Sequence, residues 1–110
     1  MLGVIKSNTD ISRVFKEGRR YGRGSSSLLA LKRDEQHGQP GRVAFVAGKK
    51  LGNAVWRNRA KRRMRAACQQ LGGPWDGYDV VFIASRATTK DSYAKLISGY
   101  TKTLEQCGLR

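Results

Sequence analysis

Six cations crowd into nine residues: Arg57, Arg59, Lys61, Arg62, Arg63 and Arg65. Arginine keeps its charge at any physiological pH and its planar fork matches two phosphate oxygens at once. The chemistry on offer is therefore the binding of a polyanion. The surroundings strengthen that reading. From Gln36 to Trp75 there is no acidic residue, while Arg42, Lys49, Lys50 and the six cations above are all basic. That segment carries nine of the fourteen net positive charges, on a chain with 22 Lys and Arg against 8 Asp and Glu. A charge serving only solubility mixes its signs; one so concentrated marks a site.

Other groups that could do chemistry are weaker. His37 is the only histidine, in a loop with Gly, Pro and Gln, where a surface role fits better than general base. Ser25, Ser26 and Ser27 have no His–carboxylate pair in view. Asp76 and Asp79 could serve as acid and base, but their spacing around Gly77 and Tyr78 suits a turn into a strand. Cys68 and Cys107 form no CxxC pair, which argues against zinc or a disulfide framework and for a reducing compartment. No catalytic residue and no metal site emerges. No apolar run approaches the roughly 18 residues of a membrane span or resembles a signal peptide, so the expected location is cytoplasmic.

The elements that must position the cations follow from periodicity. Asn53 caps a helix over 54–71, closed by Gly72, Gly73 and Pro74. At 100° per residue Trp56, Ala60, Met64, Ala67 and Leu71 share one stripe, the expected core face. Asn58, Lys61, Arg62 and Arg65 cover the opposite side, with Arg59 between and Arg57 and Arg63 flanking the stripe. Upstream, Gly48-Lys49-Lys50-Leu51-Gly52 turns from strand to helix, where free N–H groups attract phosphate. It is not a Walker loop: Val43 stands where that motif needs Gly, and Lys50 where it needs Ser or Thr.

Around this helix the spacing predicts a first helix over 9–17, capped by Asn8 or Thr9 and ended by Gly18, with Ile11, Val14 and Phe15 on one face. Strands are expected over 25–32, 43–47 and 78–85. The first two are joined by a hairpin loop over 33–41. A last helix runs over 88–107, opened by a Thr88-x-x-Asp91 capping box, with Tyr93, Leu96, Ile97, Tyr100 and Leu104 inward. The length suits one domain, 1–110. The order αββαβα is an α+β fold, a small sheet packed with helices.

The run from Val46 to Arg65, VAGKKLGNAVWRNRAKRRMR, resembles the signature of the bacterial ribonuclease P protein family, centred on Arg57-Asn58-Arg59 and reached through GNAV. The VFKEG segment, Val14 to Gly18, is similar to the end of that family's first helix. The resemblance implies a left-handed βαβ crossover, where general rules favour the right-handed one. It implies a subunit that binds a catalytic RNA and the 5′ leader of precursor tRNA, assisting endonucleolytic removal of the leader. The RNA carries the chemistry, and magnesium is held mainly by that RNA. No further protein partner is required and no membrane is involved. The residues so placed against the catalytic RNA are Lys49, Lys50, Asn53, Arg57, Asn58, Arg59, Lys61, Arg62 and Arg65. A cleft between first helix and sheet takes the leader through Ile11, Phe15, Leu29 and Phe45. The family commonly has aromatic residues where Ile11 and Leu29 stand, so stacking capacity is reduced here, and its basic N-terminal segment is thinned to Lys6.

Three competitors remain at this stage. A ribosomal or ribosome-associated RNA-binding protein shares the composition and is separated only by the GNAV-Arg-Asn-Arg spacing. DNA binding is disfavoured because cations surround the helix instead of framing a few base-reading side chains. A membrane-surface helix is disfavoured by an apolar face of mostly Ala and Met.

Overall fold

A computed structural model of the chain describes residues 4, 5, 7–33 and 40–109; Lys6 and His37 lie outside them. The first helix, α1 (Asn8–Glu17), is capped one residue earlier than expected. Ser7 Oγ accepts from the Asp10 N–H at 3.4 Å, and the Gly18 N–H closes the other end on Val14 O at 2.8 Å. A short strand β1 (Arg19–Tyr21) follows, which the sequence did not announce. Two of its three residues are arginines, so it has no apolar alternation of its own; it exists because β2 (Leu28–Lys32) presents a free edge to it. Ser25 and Ser26, expected in that next strand, instead form a 3-10 turn (Gly24–Ser26).

Next come β3 (Arg42–Val46), a 3-10 turn (Lys49–Leu51), α2 (Ala54–Gln70) and β4 (Tyr78–Ile83). The expected last helix is two helices, α3 (Ala87–Lys90) and α4 (Tyr93–Gln106). The capping box does not form. Thr88 is fully buried and turns back to accept from the Ser85 N–H at 2.9 Å, while Ser92 caps α4 by accepting from the Lys95 N–H at 3.2 Å. Tyr93 is exposed, not inward, and its hydroxyl donates to Gln70 Oε1 at 3.0 Å.

The strands form one sheet in the order β1-β2-β4-β3. β4 runs antiparallel to β2 and parallel to β3, so α2 is the crossover of a βαβ unit, the place where the expected handedness applies. Strand alternation sends residues to two cores of unequal size. On one face Leu28, Ala30, Val43, Val80 and Phe82 pack against Ala60, Met64, Ala67 and Cys68 of α2 and Leu96, Tyr100 and Leu104 of α4. Phe82 is its hub, with ring centroids 5.4 Å from Phe45, 6.3 Å from Trp75 and 5.1 Å from Tyr100; each such pair adds about 0.5–1.5 kcal/mol beyond its burial. On the other face Leu29, Ala44 and Val81 meet Val14 of α1 and Ile5.

Under α1 lies an ion network. Arg42 donates to both carboxylate oxygens of Asp79, at 3.0 and 2.7 Å, and to Asp10 at 3.1 Å. Arg33 stands 3.8 Å from the same Asp79. Asp79 therefore does not shape a turn: it is a buried strand residue that neutralises cations, and its bidentate hold raises the Arg42 pKa.

Candidate RNA interface

The local sequence around α2 explains how its cations are held out. Asn53 Oδ1 accepts from the Trp56 N–H at 2.9 Å, the expected cap. Gly52 passes so close to the indole that a Cβ there would sit 2.9 Å from Trp56 Cβ, so no larger residue fits without displacing the ring. Gly48 meets no such constraint. Trp56 is half-buried, and its Nε1 donates to Thr89 Oγ1 at 2.9 Å. Two residues of the sequence, one apolar and one threonine from α3, thus fix the rotation of α2 about its axis.

With that rotation set, the cations separate into two kinds. Arg63 turns inward to α3, donating to Thr89 O at 3.2 Å and Asp91 O at 2.6 Å, and is a structural strut. Asn58, Arg59, Arg62 and Arg65 are exposed, with Arg57 and Lys61 half-buried beside them. Asn58, Lys61, Arg62 and Arg65 line a shallow depression of about 440 Å³. Arg65 also lays its guanidinium over the Phe45 ring, 5.5 Å from the centroid. Lys49 and Lys50 are exposed on the approach turn. Among the described residues no carboxylate pairs with any α2 cation, and Arg57 Nε is buried with no hydrogen-bond partner. Like charges one helical turn apart repel; a bound polyphosphate removes that repulsion and fills the open donors.

The second expected site sits on the opposite sheet face. Ile11 and Phe15 of α1 border it, and Phe15 is 47% exposed, too open for a core residue. Leu29 is only 6% exposed, so it supports the cleft from below and offers little surface. Phe45 does not belong. It pairs in register with Phe82 and points to the α2 side, because residues 44 and 46, not 45, share the Leu29 face. The partly buried Val46 and Ile83, cross-strand partners, occupy the place expected for it. Strict alternation from the buried Ala44 is the signal that finds Val46.

The sequence profile described as Ribonuclease P matches residues 3–108, nearly the whole chain. The chain belongs to the ribonuclease P protein family. Relatives named ribonuclease P protein component include one from Gluconacetobacter diazotrophicus, 34% identical over 108 residues, covering 96% of this chain and 91% of that one. Another, from Symbiobacterium thermophilum, is 38% identical over 109 residues, covering 96% and 90%. The solved ribonuclease P protein of Staphylococcus aureus shares the fold at a TM-score of 0.76 and 22% identity, over 99% of this chain and 98% of that one. That of Thermotoga maritima gives 0.76 at 21%, over 94% and 96%. These matches support the ribonuclease P reading over the ribosomal one.

For a member of this family, the groups set aside in the sequence find ordinary work. Ser25 Oγ donates to Asp91 Oδ2 at 2.6 Å, and Ser26 and Ser27 donate to the carbonyls of Arg23 and Gly24 at 3.0 and 3.1 Å. Asp76 is exposed. Burial pushes the Cys68 thiol up to about 12, so it stays neutral and unreactive; Cys68 and Cys107 are both free. Among the described residues no three His, Cys, Asp or Glu gather to hold a metal, and no helix is long and apolar enough to cross a membrane.

Proposed function

We propose that the chain is the protein component of a ribonuclease P, binding the catalytic RNA and the 5′ leader of precursor tRNA in the cytoplasm so that the leader is removed. The observation that carries this is the α2 face, where Arg57, Arg59, Lys61, Arg62 and Arg65 have no carboxylate partner among the described residues, in a chain that matches the family over residues 3–108. Arg57, Asn58, Arg59, Lys61, Arg62 and Arg65, with Lys49, Lys50 and Asn53, meet the catalytic RNA by contacts to its backbone. Ile11 and Phe15, backed by Leu29, Val46 and Ile83, receive the leader.

Phosphodiester hydrolysis of this kind uses magnesium to activate water and steady the leaving oxygen. In this reading the ion's ligands come mainly from the RNA, which carries the chemistry. The protein's part is to hold, orient and neutralise.

Binding made mostly of phosphate contacts depends steeply on salt. With about six phosphates neutralised on structured RNA, log K falls against log salt with a slope of roughly −4 to −5. A slope near zero overturns the reading. RNA recovered with the protein from its own cells separates the alternative: one RNA on the order of a few hundred nucleotides supports it, ribosomal RNA overturns it.

A further inference from the structure

Beyond α2 and the leader cleft lies a second cationic cavity. It opens between the Gly24–Ser26 turn and the corner where α3 meets α4, has a volume of about 430 Å³, and has Arg23, Lys95 and Lys102 in its walls. The cavity is built, not accidental. Thr103 Oγ1 lies 3.2 Å from Ser26 O and 3.0 Å from Gly99 O of its own helix, so its one proton is shared between the turn and α4. Gly99 permits the approach, since a Cβ there would stand 3.0 Å from Ser26 Cβ. One carboxylate, Asp91, lines the cavity, and both its oxygens are engaged: Oδ2 accepts from Ser25 Oγ at 2.6 Å, and Oδ1 lies 3.7 Å from Lys95 Nζ. Arg23 and Lys102 are exposed and form no ion pair among the described residues.

The position of the cavity decides which anion it suits. α3 packs between α2 and the Gly24–Ser26 turn. Arg63 of α2 holds the backbone carbonyl of Asp91, whose side chain lines the cavity. Lys90 on α3 and Arg86 just before it are exposed. α3 thus joins α2 to this cavity, and α2 and α4 pack on the sheet face opposite α1 and the leader cleft. A lone phosphate would leave most of such a volume empty; a stretch of backbone fills it.

We propose that this cavity is a second phosphodiester-binding site, in which Arg23, Lys95 and Lys102 hold the backbone of the same catalytic RNA that α2 binds. This rests on the function proposed above. The test compares wild type, the double variant Lys95→Ala with Lys102→Ala, its charge-preserving counterpart Lys95→Arg with Lys102→Arg, and Arg59→Ala as the α2 control. Affinity for the catalytic RNA is measured across a salt series, and affinity for precursor tRNA on the assembled holoenzyme, with thermal melting to confirm folding.

The expected result is a loss of about tenfold in catalytic-RNA affinity for the double alanine variant, a salt slope shallower by roughly 1.5, retention by the arginine pair, and unchanged precursor affinity. A loss confined to precursor tRNA assigns the cavity to substrate backbone and overturns the proposal. Unchanged binding of both RNAs, while Arg59→Ala weakens the catalytic RNA, removes the site but leaves the α2 reading standing. If Arg59→Ala is also silent, the underlying function fails as well.

Discussion

Arginine appears in this molecule in two opposite states. Under α1, Arg42 is held by three carboxylate contacts and Arg33 shares the same Asp79. Along α2, Arg59 and Arg62 face solvent with no carboxylate partner among the described residues, although both groups lie in one small, strongly positive protein. The first arrangement spends its charge inside the fold and leaves nothing for a ligand. The second keeps its charge available and tolerates self-repulsion to do so. Arg63 shows the border between them, since it sits in the basic run yet is satisfied by two carbonyls. Whether a cation is held inside the fold by short contacts, not how many neighbours of its kind it has, separates structure from site.

Arg42 carries the largest expected effect. Arg42→Met leaves Asp79, at 5% side-chain exposure, with Arg33 alone at 3.8 Å. Breaking a fully buried pair costs roughly 3–5 kcal/mol; here Arg42 is part-exposed and Arg33 remains, so the loss is up to roughly 3 kcal/mol, and the urea midpoint should drop while RNA affinity of the folded fraction holds. The reverse outcome, stable protein with weakened RNA binding, would place Arg42 in the interface.

Arg59 and Arg63 sharpen it next. Arg59→Ala should weaken catalytic-RNA binding about tenfold to a hundredfold, the equivalent of about 1.5–3 kcal/mol for a charged donor set, with an unchanged melting temperature. Arg63→Ala, four residues along the same helix, should lose stability of similar size and little affinity. Equal effects of the two on RNA would mean that Arg63 also meets the RNA.

The leader cleft gives a smaller effect, because aliphatic Ile11 offers area without a π face. Stacking is worth about 1–3 kcal/mol per base, so Ile11→Phe should tighten precursor tRNA binding severalfold and Phe15→Ala should weaken it. Both effects should require a leader several nucleotides long and vanish for mature tRNA. Identical leader-length profiles for all three proteins would make this surface a packing feature only.

At neutral pH the smallest effect concerns the inner side of α2. The Cys68 thiol rises from 9.0 to about 12 through burial alone. Folding then favours the protonated thiol, so its contribution is intact below pH 9 and declines as pH rises toward 12, when the unfolded chain ionises first. Cys68→Ala should flatten that alkaline decline. At pH 8 the native Cys68 should alkylate about tenfold or more slowly than Cys107; equal rates would mean that α2 opens from the sheet.

Features set by near neighbours are legible in the chain alone. The α2 stripe, its Asn53 cap and its outward cations follow from a 3.6-residue period, and Ala60, Met64 and Ala67 are indeed fully buried. The run from Val46 to Arg65 was enough to point to the family. Features set by distant partners emerge in the fold. Arg42 reads as one more cation in an acid-free stretch, but its carboxylates lie 32 and 37 residues away. Phe45 reads as a cleft residue until the register with β4 turns it to the other face. β1 forms on an edge its own residues do not specify. The capping box at Thr88 loses because the Ser85 amide and Ser25 hydroxyl reach its two side chains first. A helix closes its hydrogen bonds within four residues, so its faces are written locally. Strand pairing, ion pairs and clefts join chain segments that only folding brings together.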